Sequence, residues 1–372
     1  MYKYIYPLIK WKIKPWLKYY IVKKGEGTPS EIITSASPIT LVNSLRKKFI
    51  KFIVGGNSIQ DGEPSPETQV PIKNVIGDVE VKVENKNLAI NNEISNLIEY
   101  ANTIYPNAAG EKKKWIDNII NLPKDVNLIG NWDFTGDGKA VGGTSGERVT
   151  IYYTDNTSQI TTKGIKFIIP SGKTISYILI YGNQNATTAK WSNIQFEEGS
   201  ATDYVPHEEQ TAIFPLEEGQ VLHEGDTIGD KIVQRRKTVI FDGSNDEGWY
   251  LQNNTFRCPL ANAKYNGKVL SNYFIDRNVD NTGDYIWIFL DGYVLVKFPS
   301  ISTVEEFTTW LSTHNLTVEY ELVEPIETEF TEAQRTAKAE IDKLISYKGT
   351  THISSTNEPS PIFEVQYYME GE

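Results

Sequence analysis

Apolar positions along most of this chain recur with a two-residue period, the pattern of strands that bury one face. Near the start Ile9, Trp11 and Ile13 alternate with Lys10, Lys12 and Lys14, and Pro7 and Pro15 flank the run. That pattern suits an edge strand or an extended arm better than a helix. Gly25, Gly27 and Pro29 read as a short linker, and residues 39–54 predict two strands around Asn43-Ser44. Two more strands are expected at 70–76 and 79–83, the second with Val79, Val81 and Val83 opposed to Glu80, Lys82 and Glu84. Between these pairs, Asp61-Gly62-Glu63-Pro64-Ser65-Pro66 is a dense run of turn formers.

The period changes once in the first half. Ile94, Leu97, Ile98 and Ala101, then Trp115, Ile116, Ile119 and Ile120, fall at helical spacing, with Pro106 between the groups and Pro123 after them. Residues 127–206 return to short strands, at 149–153, 165–169, 176–181 and 191–196, separated by Gly-containing turns, as in a sandwich or jelly roll. Further on, strands at 285–290 and 293–298 flank Asp291-Gly292, a strong hairpin signal. Thr303 with Glu306, and Thr331 with Gln334, are capping boxes that open two helices; a strand at 363–367 closes the pattern.

The fold expected is therefore mainly β: tandem, jelly-roll-like β-sandwich modules with a small helical insert and short C-terminal helices. The divisions read from the pattern are an N-terminal arm at 1–36, a small β module at 37–90, a helical insert or connector at 91–126, a jelly-roll-like sandwich at 127–208 and a second sandwich at 209–372. Composition agrees, because aromatics make up 12% of the 372 residues, with 21 Tyr and 8 Trp, and such residues favour strands. No run of about 18 apolar residues exists, so no membrane span is expected. The lysine-rich start does not read as a signal peptide. A single cysteine, Cys258, cannot staple the chain.

Charge is uneven. Residues 1–54 hold 11 Lys and Arg against two Glu, a net of +9, which leaves −20 for residues 55–372 of a total of −11. A body this acidic repels nucleic acid. The basic, aromatic arm reads as a docking element, with Trp11, Lys12, Trp16 and Tyr19 as its candidate contacts.

Signs of catalysis are weak. His207, His223, His314 and His352 form no HExxH or Cys/His spacing, and no GxSxG elbow or phosphate-binding loop is present. The doublets Glu197-Glu198, Glu208-Glu209 and Glu217-Glu218 point to opposite faces of a strand, which is poor geometry for a glycosidase pair. Asp133 with Asp137, and Asp276 with Asp280 and Asp284, read as turn formers and not calcium ligands. No metal and no cofactor is expected, and the chain reads as a non-enzyme. Trp132, Trp191 and Trp249, near turn-rich segments, are the candidates for stacking on a sugar.

Several stretches carry a family resemblance. Ser37-Pro38-Ile39-Thr40-Leu41, then Gly56-Asn57-Ser58-Ile59-Gln60-Asp61-Gly62-Glu63-Pro64-Ser65-Pro66 and Val70-Pro71-Ile72, resemble a module in tail proteins of phages and prophages of Gram-positive bacteria. Gln69 stands where that family often has Pro. Trp191-Ser192-Asn193-Ile194-Gln195-Phe196-Glu197-Glu198-Gly199, continuing to Pro206, is similar to the end of the family's carbohydrate-binding-like jelly rolls. Residues 304–322 and 347–353 follow in the family's usual order. The arm at 1–36 and the insert at 91–123 have no counterpart there. The resemblance implies a virion component of the tail, baseplate or tail fibre, whose partners are other tail proteins and host-surface glycan or teichoic acid. It implies a homotrimer or another symmetric homo-oligomer, and it transfers no catalytic residue. The alternatives are a glycan-degrading tail spike and a bacterial surface adhesin.

Overall fold

The computed structural model describes residues 18–22, 30–36, 39–43, 49–89, 94–95, 112–115, 122–135, 148–181, 190–277, 283–290 and 292–368. Strands dominate them, and the α-helices among them are Val304–His314 and Glu332–Ile341. The mainly-β, sandwich-like expectation holds. Neither helix is long and apolar enough to cross a membrane.

Three hydrophobic cores organise the strands, and two of them are insertions. Strands Val79–Asn85 and Glu209–Phe214 are antiparallel neighbours, with Val79 opposite Phe214 and Glu84 opposite Glu209. The described residues between them, within 86–208, form a sandwich at the tip of that pair. Strands Ile232–Phe241 and Leu316–Thr328 likewise pair, with Phe241 opposite Leu316, and carry the described residues of 242–315 at their tip. The expected division at 209 is therefore redrawn: residues 209–241 and 316–368 belong to a base that also includes the described residues of 39–85.

The base packs a four-stranded sheet (Glu209–Phe214, Val79–Asn85, Gly349–Ser354, Ile39–Asn43) against part of an eight-stranded one. Alternation sends Val79, Val81 and Val83 into the core against Phe52, Val54, Phe214 and Phe363, all almost wholly buried. Each such side chain contributes about 1.5–3 kcal/mol. Both expected capping boxes are formed, at Thr303 with Glu306 and at Thr331 with Gln334.

The inserted sandwich has two four-stranded sheets around Trp132, Phe167, Phe196 and Ile151. Gly130 leaves room for this packing, since a Cβ there would lie 2.6 Å from the Trp132 ring. Where the stretch expected to be helical is described, it supplies strands: Ile94–Ser95 pairs with Lys190 and Trp191, and Lys112–Trp115 pairs with Ile178–Tyr181. At these positions a neighbouring strand's edge outweighs the local period.

The second insertion packs a five-stranded sheet and the helix Val304–His314 against the far end of the eight-stranded sheet. Phe307 lies at its centre, stacked on Phe256 at 4.2 Å. The expected hairpin is present, with Phe289 opposite Tyr293 and Gly292 at φ 105°.

The polar residues of the motifs at 56–66 and 191–206 are mostly spent on local locks, and Gln60 and Glu198 reach a neighbouring body. In Gly56-Asn57-Ser58, a Cβ on Gly56 would meet the His223 carbonyl at 2.1 Å. Asn57 Nδ2 donates to the Ser360 carbonyl at 3.0 Å, and Ser58 Oγ donates to Glu319 Oε1 at 2.8 Å. Gln60 Nε2 bridges the carbonyls of Val70 and Ser271, both at 2.9 Å. Glu319, wholly buried, is also held by Arg236 Nη1 at 3.2 Å. Within the inserted sandwich, near its return to the base, Glu197 takes the Thr202 N–H at 2.7 Å and its hydroxyl at 2.6 Å, while Gln195 donates to Glu197 and accepts the Val205 N–H.

Candidate functional site

The residues expected to touch ligands are placed as follows. Trp132 is 1% exposed and packs on Phe196, so it is a core residue. Trp249 is 8% exposed, wedged edge-on between Phe241 and Phe307, with Nε1 donating to Glu247 Oε2 at 2.8 Å. Neither ring has a free face for a sugar, which corrects both expectations. Strand alternation turned them inward, and their nearness to turns in sequence gave no information about that. Trp191 lies in the strand Lys190–Glu198, its backbone opposite Phe134 and Ile94. Trp11, Lys12 and Trp16 lie outside the described residues. Tyr19 is in the strand Lys18–Val22, opposite Ile33.

A different set of aromatics does face outward. In the strand Tyr285–Phe289, Ile286 and Ile288 enter the core, and the alternate residues Tyr285, Trp287 and Phe289 stand on the other face, half-buried. The Tyr285 and Trp287 rings are 5.1 Å apart. Arg277 lies 5.0 Å above the Trp287 ring and Arg257 lies 5.6 Å from the Phe289 ring. Tyr265, 49% exposed, meets Phe289 edge-on at 6.4 Å. Across the sheet, Tyr250 stands opposite Arg257, Arg257 opposite Leu295 and Leu295 opposite Trp287. Leu295 is 1% exposed although it faces away from the core, because its neighbours cover it.

Two donors in this layer are left without partners: the Nε of Arg257 and the Nε1 of Trp287 are buried and unbonded. Buried donors normally find an acceptor. Lys297 adds a third positive charge opposite Tyr285, with Nζ donating to the Asn254 carbonyl at 2.9 Å. At the far end, a cavity of about 300 Å³ opens between the turn Glu63-Pro64-Ser65-Pro66 and Ile275 and Asp284. Burial and the nearby Glu67 charge push the Asp284 carboxyl up. The arrangement offers flat rings for stacking and fixed cations beside them. The sequence carried a signal for it: aromatics at 285, 287 and 289 alternate with isoleucine, which makes both faces of one strand apolar when only one can meet the core.

The acidic residues considered for catalysis or metal binding serve as ties. Glu197 is the lock described above, Glu198 accepts from Thr40 Oγ1 at 2.9 Å, and Glu217 accepts from Thr331 Oγ1 at 2.9 Å. Asp133 accepts from Asn193 Nδ2 at 2.8 Å, and Asp276 from the Val269 N–H at 3.2 Å. Asp137 and Asp280 lie outside the described residues. Glu84, His207 and Glu209 bring ligand-type atoms within 4.8 Å of one another. Their cation is Lys82, whose ammonium is 3.1 Å from Glu84 and 2.8 Å from Glu209, so the group is a salt bridge.

Compared with protein-family models, with curated proteins and with solved structures, the chain matches none.

Proposed function

We propose that this protein is a non-enzymatic component of a bacteriophage tail or baseplate, which presents the outer face of its five-stranded sheet to host-surface glycan. The observation that carries this reading is the outward row Tyr285, Trp287 and Phe289 with Arg257 and Arg277 laid against it. Pyranose rings stack on such surfaces, and guanidinium groups pair with phosphate or carboxylate substituents. The resemblance to phage tail modules supports the setting. Its motif residues lock the backbone locally, at Asn57, Ser58, Gln195 and Glu197, and two of them reach a neighbouring body, Gln60 to the Ser271 carbonyl and Glu198 to Thr40. A protein whose polar signature is spent on rigid packing suits presentation of a surface better than turnover. In the assembled particle the N-terminal arm docks on a neighbouring tail protein, in a symmetric homo-oligomer.

The test is binding of the purified chain to Gram-positive cell-wall polysaccharides on an array, followed by titration of the best binder. Trp287→Ala weakens that binding about tenfold or more, as truncation of a central aromatic contact does. Equal affinity in Trp287→Ala removes this face from the reading. Antibody labelling of intact particles checks the setting: label anywhere but the tail refutes it.

A further inference from the structure

Four residues stand directly opposite one another in a single row across the outer face of the base's four-stranded sheet. They are Thr40, His352, Glu84 and Glu209, one from each strand. The foot of the inserted sandwich covers this row. Glu198 accepts from Thr40 Oγ1 at 2.9 Å, and His207 lays its Nε2 at 3.3 Å from Glu209 and 3.8 Å from Glu84. Under that cover His352 is 3% exposed.

The hydrogen bonds fix the state of the His352 ring. The single hydroxyl proton of Thr40 goes to Glu198, so its oxygen accepts from His352 Nδ1, 3.2 Å away. That leaves His352 Nε2 as a bare lone pair, and it is buried with no partner. A neutral imidazole fits this site. An imidazolium would bring a second N–H with nothing to receive it, in a place closed to water. The charged groups around it are already committed. Glu84, on the neighbouring strand, is held by Lys82 at 3.1 Å, and Lys82 also holds Glu209 at 2.8 Å. His207 Nδ1 donates to the Asn87 carbonyl at 2.6 Å, and Glu198 is taken by Thr40.

We propose that His352 is an acid-sensitive latch, whose protonation loosens the inserted sandwich from the base and frees it to reorient.

Burial lowers the His352 pKa from 6.5 to about 4. Above pH 6.5 the ring is neutral in both the closed and the open joint, so pH has no leverage. Between 6.5 and about 4 the open form takes the proton and the closed form refuses it, so closure weakens as pH falls. Those two values raise the opening equilibrium about 30-fold between pH 8 and pH 5. Glu209's carboxyl is held below its ordinary value chiefly by its hydrogen bond from Lys82.

Hydrogen–deuterium exchange of the full chain at pH 8 and pH 5, corrected for the intrinsic rate, reads the opening directly. Peptides covering 82–88, 205–211 and 349–354 gain about 30-fold in opening, while those covering 49–55 do not. The His352→Gln variant, which keeps a hydrogen-bonding head without a titratable ring, shows a flat profile. Equal opening of wild type at both pH values overturns the latch, as does a His352→Gln variant that keeps the pH dependence. A rise in 49–55 as large as that in the joint also overturns it, because the event is then unfolding of the base. Should the variant fail to fold, the His352 ring titration by NMR in wild type decides: a midpoint near 4 supports the latch and one near 6.5 sinks it.

Discussion

Asn87 ties together the two stalks by which the inserted sandwich leaves and rejoins the base. It is wholly buried where the chain leaves the base. Its Nδ2 donates to the carbonyls of Val205 at 2.9 Å and Ile194 at 3.1 Å, and its Oδ1 accepts the N–H groups of Ala89 at 3.0 Å and Phe196 at 3.4 Å. One side chain thus ties the outgoing stalk to the returning one. Asn87→Ala leaves two carbonyls and at least one N–H buried without partners. At about 1 kcal/mol or more for each, the loss comes to about 3 kcal/mol. On a body of this size that lowers the melting temperature by on the order of 10 °C. In scanning calorimetry the sandwich transition shifts down while the base transition holds. Asn87→Asp separates the two halves of the argument. It keeps the acceptor for Ala89 and Phe196 but sets an oxygen against two carbonyls, so it is no more stable than the alanine variant. Losses below about 1 kcal/mol in both variants would refute the reasoning.

Two further perturbations test the other joint and the second insertion. Arg236 is 5% exposed and faces Glu319, Glu224 and Glu321, so Arg236→Met strands the wholly buried Glu319 and costs about 3–5 kcal/mol in chemical denaturation. Adding Glu319→Gln recovers most of that loss, and a double variant as unstable as the single one contradicts the account. Burial, with Glu247 second, pushes the Cys258 thiol up to about 12, and its Sγ donates to the Glu247 carbonyl at 2.9 Å. At pH 8 the folded chain therefore reacts with disulfide reagents orders of magnitude more slowly than the unfolded chain, since the thiolate is the nucleophile. Rapid labelling of the native protein would show that this core is open.

What the sequence displays clearly is what one or two neighbouring turns decide. The Thr303–Glu306 and Thr331–Gln334 boxes, the Asp291-Gly292 hairpin and the Val79, Val81, Val83 alternation all appear where the pattern puts them, because each depends on residues within about six positions. The helical spacing around Trp115 misled for the complementary reason. At Lys112–Trp115 the state is set by the strand Ile175–Tyr181, more than sixty residues away, whose edge offers a full ladder of hydrogen bonds. A local period cannot outweigh a waiting edge.

The domain plan was hidden by the same distance in stronger form. Glu84 and Glu209 are direct neighbours in space, as are Phe241 and Leu316, and in each case a whole folded body separates them in the chain. Reading along the sequence, a strand that pairs across such a gap looks like the end of one module, and its partner like the start of the next. The polar residues at 56–66 and 191–206 mostly lock their own body, and Gln60 and Glu198 reach a neighbouring one. A stacking face only has to be aromatic and exposed, and a turn nearby in sequence does not separate it from a buried ring. That explains why Trp132 and Trp249, singled out as sugar contacts, belong to the cores, while Trp287 and its neighbours passed as one more hairpin strand. In a protein built from insertions, the binding face has to be sought on the side that no core claims.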